Sequence, residues 1–232
     1  MKEVMQSKHA GQPLILPARL MFGKADPAYL NTGDPNGKCW MPAETDVSIR
    51  PWWFYHPDEN DKVKSPKELV NLYYESVGHN SLLLLNIPPN REGLLSEPDV
   101  YNIKEFRKIL NKMFSKNLAT RKVLSLLTDK KLNTFVSIKI NRPLVIDFKK
   151  PVKIDRAILQ ENIATGQRIE NARFEYWDGK IWKSLIAFTT VRYKRLLRFK
   201  PVILQRVRLI ISAAKEKVQL SEIGFFKASS LE

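Results

Sequence analysis

Residues 65–89 read Ser65-Pro66-Lys67-Glu68-Leu69-Val70-Asn71-Leu72-Tyr73-Tyr74-Glu75-Ser76-Val77-Gly78-His79-Asn80-Ser81-Leu82-Leu83-Leu84-Leu85-Asn86-Ile87-Pro88-Pro89. Ser65 is a good helix N-cap, Pro66 suits the first turn, and Glu68 completes a capping box. Leu69, Leu72, Tyr73 and Val77 fall on one helical face, and Gly78 marks the stop. Ser81–Leu85 then carries apolar residues at successive positions, the pattern of a strand fully buried in a parallel sheet. Asn86-Ile87-Pro88-Pro89 ends it. Helix followed by buried strand is a unit of α/β architecture.

Downstream, the spacing predicts a second helix from about Glu97 to Ser115. Ser96 caps it, Asp99 sits at its third position, and Val100, Ile103, Phe106, Leu110 and Met113 form its buried stripe. Lys and Arg gather toward its end, where they favour the helix dipole. From about Lys131 the pattern changes to short alternating segments: 134–140, 144–148, 157–160, 172–177, 182–188, 193–199, 206–211 and 219–226. Turns such as Trp177-Asp178-Gly179-Lys180 separate them. Short strands at even spacing without helices predict an antiparallel sandwich. A boundary near 118–130 therefore divides an α/β part, residues 1–127, from an all-β domain, residues 128–229. Upstream, residues 28–64 are loop-rich, with turn signals at Thr32-Gly33-Asp34-Pro35-Asn36-Gly37, and residues 1–27 show no clear period.

The 232 residues carry 39 Lys+Arg against 24 Asp+Glu, a net charge of +15. Residues 128–232 hold +12 of it and residues 1–127 hold +3. A basic half is a possible footprint for nucleic acid. Here the basic residues are dispersed and mostly alternate with apolar ones, which is the pattern of a solvated sheet surface, so neither a nucleic acid nor a membrane is expected as partner. The single Cys39 excludes an internal disulfide and a Cys-based zinc cage. His9, His56 and His79 have no metal-ligand spacing, so no metal and no cofactor is expected. No apolar run approaches the roughly 18–20 residues of a membrane span. Leu14-Ile15-Leu16, flanked by prolines, is too short for the core of a signal peptide.

The candidate chemistry lies upstream of the quoted stretch, in Trp40-Met41-Pro42-Ala43-Glu44-Thr45-Asp46-Val47. Glu44 and Asp46, two residues apart, point to one side of an extended chain. Trp40 precedes them, and Trp52-Trp53-Phe54-Tyr55 follow. Carboxylates beside aromatic platforms are the ingredients of a sugar site.

The longer string resembles glycoside hydrolase family 29, the α-L-fucosidases. Tyr29-Leu30-Asn31-Thr32-Gly33-Asp34-Pro35-Asn36-Gly37 leads into Trp40-x-Pro42-Ala43-Glu44-x-Asp46-Val47-Ser48-Ile49-Arg50-Pro51-x-Trp53-Phe54-Tyr55-His56. It looks most like the branch acting on α-1,3/1,4-linked fucose. Ser76-Val77-Gly78-x-Asn80 with Leu83-Leu84-Leu85-Asn86-x-Pro88-Pro89 is similar to that family's last barrel strand. Leu159-Gln160-Glu161-x-Ile163-x-x-Gly166-Gln167-Arg168 and Tyr193-Lys194-Arg195-Leu196-Leu197-Arg198-Phe199 match its C-terminal sandwich. The resemblance covers about residues 28–227.

It implies the C-terminal part of a (β/α)8-like barrel followed by a galactose-binding-like jelly-roll β-sandwich. It implies a retaining hydrolase of terminal α-L-fucose, using a nucleophile and an acid/base about 5–5.5 Å apart. Glu44 takes the acid/base position, and Trp40, Asp46, Arg50, Trp53, His56 and Asn86 are candidates for binding a fucosylated glycan. The nucleophile, an Asp in a Trp-Phe-Asp context, is not among these residues: only Glu3, Asp26 and Asp34 precede Glu44 as acids. A second departure is Trp52, where the family has glycine. The chain is accordingly expected to be inactive alone, with a second chain or an oligomer completing the barrel. Full-length relatives are commonly exported. A different reading makes the sandwich a carbohydrate-binding module, with Trp177 and Trp182 as platforms.

Overall fold

Two sheets of opposite character organise the molecule. The computed structural model describes residues 43–119 and 122–227. In chain order the elements are β1 (Ala43–Ser48), α1 (Pro66–Glu75), β2 (Ser81–Asn86), α2 (Glu97–Met113), β3 (Val136–Ile138), β4 (Leu144–Glu161), β5 (Ile169–Trp177), β6 (Trp182–Phe188), β7 (Arg195–Ala214) and β8 (Val218–Lys227). β1 and β2 form a two-stranded parallel sheet, with Ala43 opposite Ser81 and Ser48 opposite Asn86. The other six strands form an antiparallel sheet in the order β3-β8-β4-β7-β5-β6.

α1 begins as the capping residues dictate. Glu68 N donates to Ser65 Oγ (3.3 Å) and Ser65 N donates to Glu68 Oε2 (2.8 Å), the reciprocal bonds of a capping box. Ser65 Oγ also donates to Glu68 Oε2 (2.7 Å), and this bond, with that from Ser65 N, holds the Glu68 carboxyl below its ordinary range. The helix buries Leu69, Val70 and Tyr74 rather than the expected Leu72 and Val77, because it faces both α2 and the antiparallel sheet. Gly78 ends it at a point of close approach. A Cβ there would lie 2.2 Å from Tyr74 O and 3.0 Å from the Leu196 side chain, while Gly78 O accepts from Leu196 N (3.0 Å).

β2 departs from the fully buried strand read from its sequence. Leu82 is 61 % and Leu84 49 % exposed, while Leu83 and Leu85 are half-buried. An unbroken apolar run looks the same whether one face or both are covered. Among the described residues β2 pairs with β1 alone, and nothing covers the Leu82–Leu84 face.

α2 ends at Met113, two residues before the expected Ser115, and buries Leu110 and Met113. The helix pair joins the antiparallel sheet through Val70, Tyr74, Leu110 and Met113 against Leu196 and Ile158. Phe114 meets Phe226 edge-on at 5.2 Å, and the Arg198 guanidinium lies 4.3 Å over the Tyr74 ring.

The antiparallel sheet carries the main core. Ile154, Leu159, Phe174, Leu209, Leu220 and Phe225 have no exposed surface. Phe174 and Phe225 meet edge-on at 5.0 Å, and Phe148 packs on Phe225 at 5.9 Å. Ala119, Leu124 and Leu127, from the stretch linking α2 to β3, enter the same core. The even set of short strands is corrected here. Segments 144–148 and 157–160 are one 18-residue strand, β4, and segments 193–199 and 206–211 are one 20-residue strand, β7. Pro151 and Pro201 gave the appearance of breaks. A proline removes a ladder donor without ending the extended chain. The register shifts between Asp147 and Val152, and again between Ile154 and Arg156. These irregularities let the long strands bend, and the sheet curls over its own core as a sandwich.

Candidate functional site

The site residues gather where β1 and β2 end together. Ile49 is fully buried, and its N–H donates to Asn86 O (2.9 Å), so the parallel pairing runs one residue past β1. There the chain must turn, and Arg50 fixes the turn. Its Nε donates to Asp99 Oδ2 (3.0 Å), with both side chains at zero exposure. Nη2 donates to Ser96 Oγ (2.6 Å) and Asn60 Oδ1 (2.8 Å), and Nη1 to His56 O (3.2 Å). The Tyr55 ring lies 4.7 Å from the guanidinium carbon. A buried arginine needs this many partners, because an unpaired buried charge is very costly.

Ser48 and Asn86, opposite each other in the register, hold the next part of the loop. Ser48 Oγ donates to Trp52 O (2.8 Å), and Asn86 Nδ2 donates to Trp53 O (2.9 Å) and Ser48 Oγ (3.1 Å). Lys64 Nζ donates to Ser48 O (2.8 Å). The backbone of residues 50–56 is thus pinned while its rings are displayed. Trp52 is 65 %, Trp53 49 % and Phe54 79 % exposed. The loop stands at the C-terminal ends of parallel strands, where sites on α/β sheets collect.

Arg50 was expected to contact substrate. Its guanidinium is instead enclosed and committed to protein groups, so it positions the aromatic loop. Asn86 spends its amide in the same way, and His56 contributes its carbonyl to Arg50 while its side chain is exposed. Ser96 was expected to cap α2; its side chain makes no capping bond and accepts from Arg50. Glu44 and Asp46 both lie on the exposed side of β1, opposite Leu82 and Leu84 of β2. Thr45 points the other way and bonds Ser81 (2.8 Å). Glu44 stands four residues before Ser48, about 13 Å of strand from the aromatic loop. Trp40 lies outside the described residues, as does the stretch from Tyr29 to Gly37.

Ser96 and Asp99 were read only as helix-start residues, and Ser48 and Asn60 were not singled out as site residues. The signal was present. Arg50 follows an apolar strand end, where a charge is buried only with partners, although nothing in the spacing names Asp99, 49 residues on, as that partner.

Among the described residues no group of three His, Cys, Asp or Glu is placed to hold a metal. No described helix is long and apolar enough to cross a membrane. Among the described residues the carboxyls that are raised, Glu222 and Glu161, lie in the antiparallel sheet. Burial pushes Glu222 up to about 7, with Asp129 adding to the rise while the bond from Lys130 N opposes it. Burial likewise raises Glu161, although it accepts from three backbone N–H groups, those of Arg168, Ile169 and Arg192. Trp177 and Trp182 pack on each other at 5.5 Å, and Arg208 covers the Trp182 ring at 4.3 Å. They serve packing, which disfavours their reading as open platforms.

Residues 18–113 match the Alpha-L-fucosidase family. α-L-Fucosidase 1 of Arabidopsis thaliana is 35 % identical, over 88 % of this chain and 44 % of that protein. A glycoside hydrolase 29 family member from an unknown rumen bacterium is 32 % identical, with a TM-score of 0.76, covering 90 % of this chain and 37 % of its own. The Ruminococcus gnavus GH29 fucosidase, solved in complex with fucose, is 28 % identical with a TM-score of 0.77, covering 84 % and 43 %. The chain therefore spans less than half the length of the relatives it matches, and over that span it is a partial match to the α-L-fucosidases of glycoside hydrolase family 29.

Proposed function

We propose that these residues supply the acid/base wall of a retaining α-L-fucosidase, acting on terminal fucose in the α-1,3/1,4-linked class. The observation that carries this reading is the placement of Glu44. It is solvent-exposed on the uncovered face of a parallel strand, two residues from Asp46, in the sequence context of the family's acid/base. On this reading Glu44 protonates the leaving glycosidic oxygen and then activates water for the second step. Asp46 lines the same face. Trp53 offers a ring for the sugar's C–H surface, with Trp40 as a further wall, and His56 a hydrogen bond. Arg50 and Asn86 act through the loop they hold. Residues 1–127 correspond to the barrel portion and 128–229 to the sandwich.

The nucleophile would come from outside these 232 residues, from another part of a longer protein or from a second chain. The 232-residue chain alone is then inactive on an aryl α-L-fucoside. Assay of the purified chain beside its Glu44→Gln variant tests this. Equal, background-level release supports the reading. Turnover that Glu44→Gln abolishes would show that a nucleophile is present and the reading of an incomplete site is wrong.

A further inference from the structure

A cavity of about 290 Å³ lies between the segment that follows α2 and the irregular part of β4. Leu118 and Val152 give it apolar walls above the buried Phe148, and Lys116, Lys149 and Lys150 stand around it. Among the described residues no acidic side chain lines it. All three lysines are exposed, and among the described residues none of them forms an ion pair. The polar group of Asn117 is committed elsewhere: its Nδ2 donates to Ile223 O, and its Oδ1 accepts from Ala119 N and Phe225 N.

The β4 backbone here is also unusual. Between Asp147 and Val152 the ladder to β7 is interrupted, and pairing to β8 begins only at Ile154. The Lys149 and Lys150 peptide groups are thus outside both ladders, within a bulge. Bulges gather at sites because they re-aim side chains and release backbone groups. The cavity therefore combines three uncompensated cations, unladdered backbone and an apolar floor. Those features recognise opposite ends of one small molecule. Its volume sits at the lower edge of small-molecule sites, enough for a single ring.

We propose that this cavity binds a single-ring organic oxyanion, such as a pyranose bearing a carboxylate or a sulfate ester. The lysines attract the charged group, and Leu118 and Val152 take the apolar face of the ring. This site is separate from the loop at the ends of β1 and β2 and does not depend on catalysis there.

Titration of the whole chain by calorimetry or ligand-observed NMR tests it with four probes: methyl glucuronide, glucose 6-sulfate, neutral methyl glucoside and inorganic sulfate. The two acidic sugars should bind, more weakly as salt is raised. The neutral sugar and the bare ion should bind at least about tenfold more weakly, having lost one of the two recognition elements. Lys149→Glu with Lys150→Glu, both exposed and tolerable to the fold, should weaken the acidic sugars by about tenfold or more. Saturable binding of neither acidic sugar overturns the proposal. So does equal binding of methyl glucoside or of sulfate, or acidic-sugar binding unchanged in the double variant.

Discussion

The parallel pair and the antiparallel sheet use similar residues to different ends. β2 carries four successive leucines, and the antiparallel sheet is rich in leucine and isoleucine. In the antiparallel sheet those residues vanish from the surface, as Leu159, Leu209 and Leu220 do. In β2, Leu82 and Leu84 remain about half exposed. The difference is in the partners, since β4 has neighbours on both edges and a layer across the core, and β2 has one described neighbour. An isolated two-stranded sheet is marginal. The parallel pair is tied to the start of α2 by Arg50, which donates to Asp99 and Ser96. Stability and the candidate chemistry are therefore in different places: the buried core is mostly antiparallel, and the exposed carboxylates and aromatic rings are parallel.

The largest test of that division is Phe174→Ala. It removes a ring with no exposure that packs against Phe188 and Phe225. A loss of about 3–5 kcal/mol is expected in urea denaturation. A loss near zero would place the stabilising core elsewhere. Next is Asp99→Ala, which strands the enclosed Arg50 charge at a cost of about 3 kcal/mol. Its effect should be local: exchange of the amides of residues 49–60 should speed up, with β7 amides largely unchanged. Equal effects in both regions would break the comparison.

A smaller effect is expected with pH. Glu222 has a native pKa of about 7, above the ordinary value of about 4.3 for an unfolded glutamate. The folded state thus binds this proton more tightly. The corresponding stabilisation is present below the unfolded pKa and is lost as pH rises through 7. The Tm of the chain should fall between pH 5 and 8 more than that of Glu222→Gln. Identical pH profiles would remove Glu222 as the cause. The smallest change is expected from Leu84→Ser, within about 0.5 kcal/mol, because the side chain is already half in water. A cost of several kcal/mol would mean that this face is covered in solution.

Much of this was legible in the residues. The Ser65–Glu68 box started α1 as expected. Asp178 and Gly179 set the β5–β6 turn: Asp178 Oδ1 accepts from Lys180 N and Ile181 N, both at 2.8 Å, and Gly179 has φ +104°. The β6 bounds followed from that turn. What was hidden depended on contacts distant in sequence. Pro151 and Pro201 look like chain breaks until the neighbouring strands show how a bulge absorbs them. Leu82–Leu85 reads as buried because hydrophobicity records a residue's preference, not what surrounds it. Arg50 reads as a substrate contact until Asp99, 49 residues away, is seen to enclose it. Glu44 and Asp46 are where the alternation put them, on one exposed side of β1.

The central claim is that the antiparallel sheet holds the fold while the parallel pair displays the candidate carboxylates with little burial of its own. Native-state hydrogen exchange of the 232-residue chain tests this most directly. The account predicts that backbone amides of β1 and β2, from Glu44 to Leu85, exchange through local opening, while those of Leu209 and Phe225 exchange only on global unfolding. Equal protection of the two sets, tracking global stability, would contradict it.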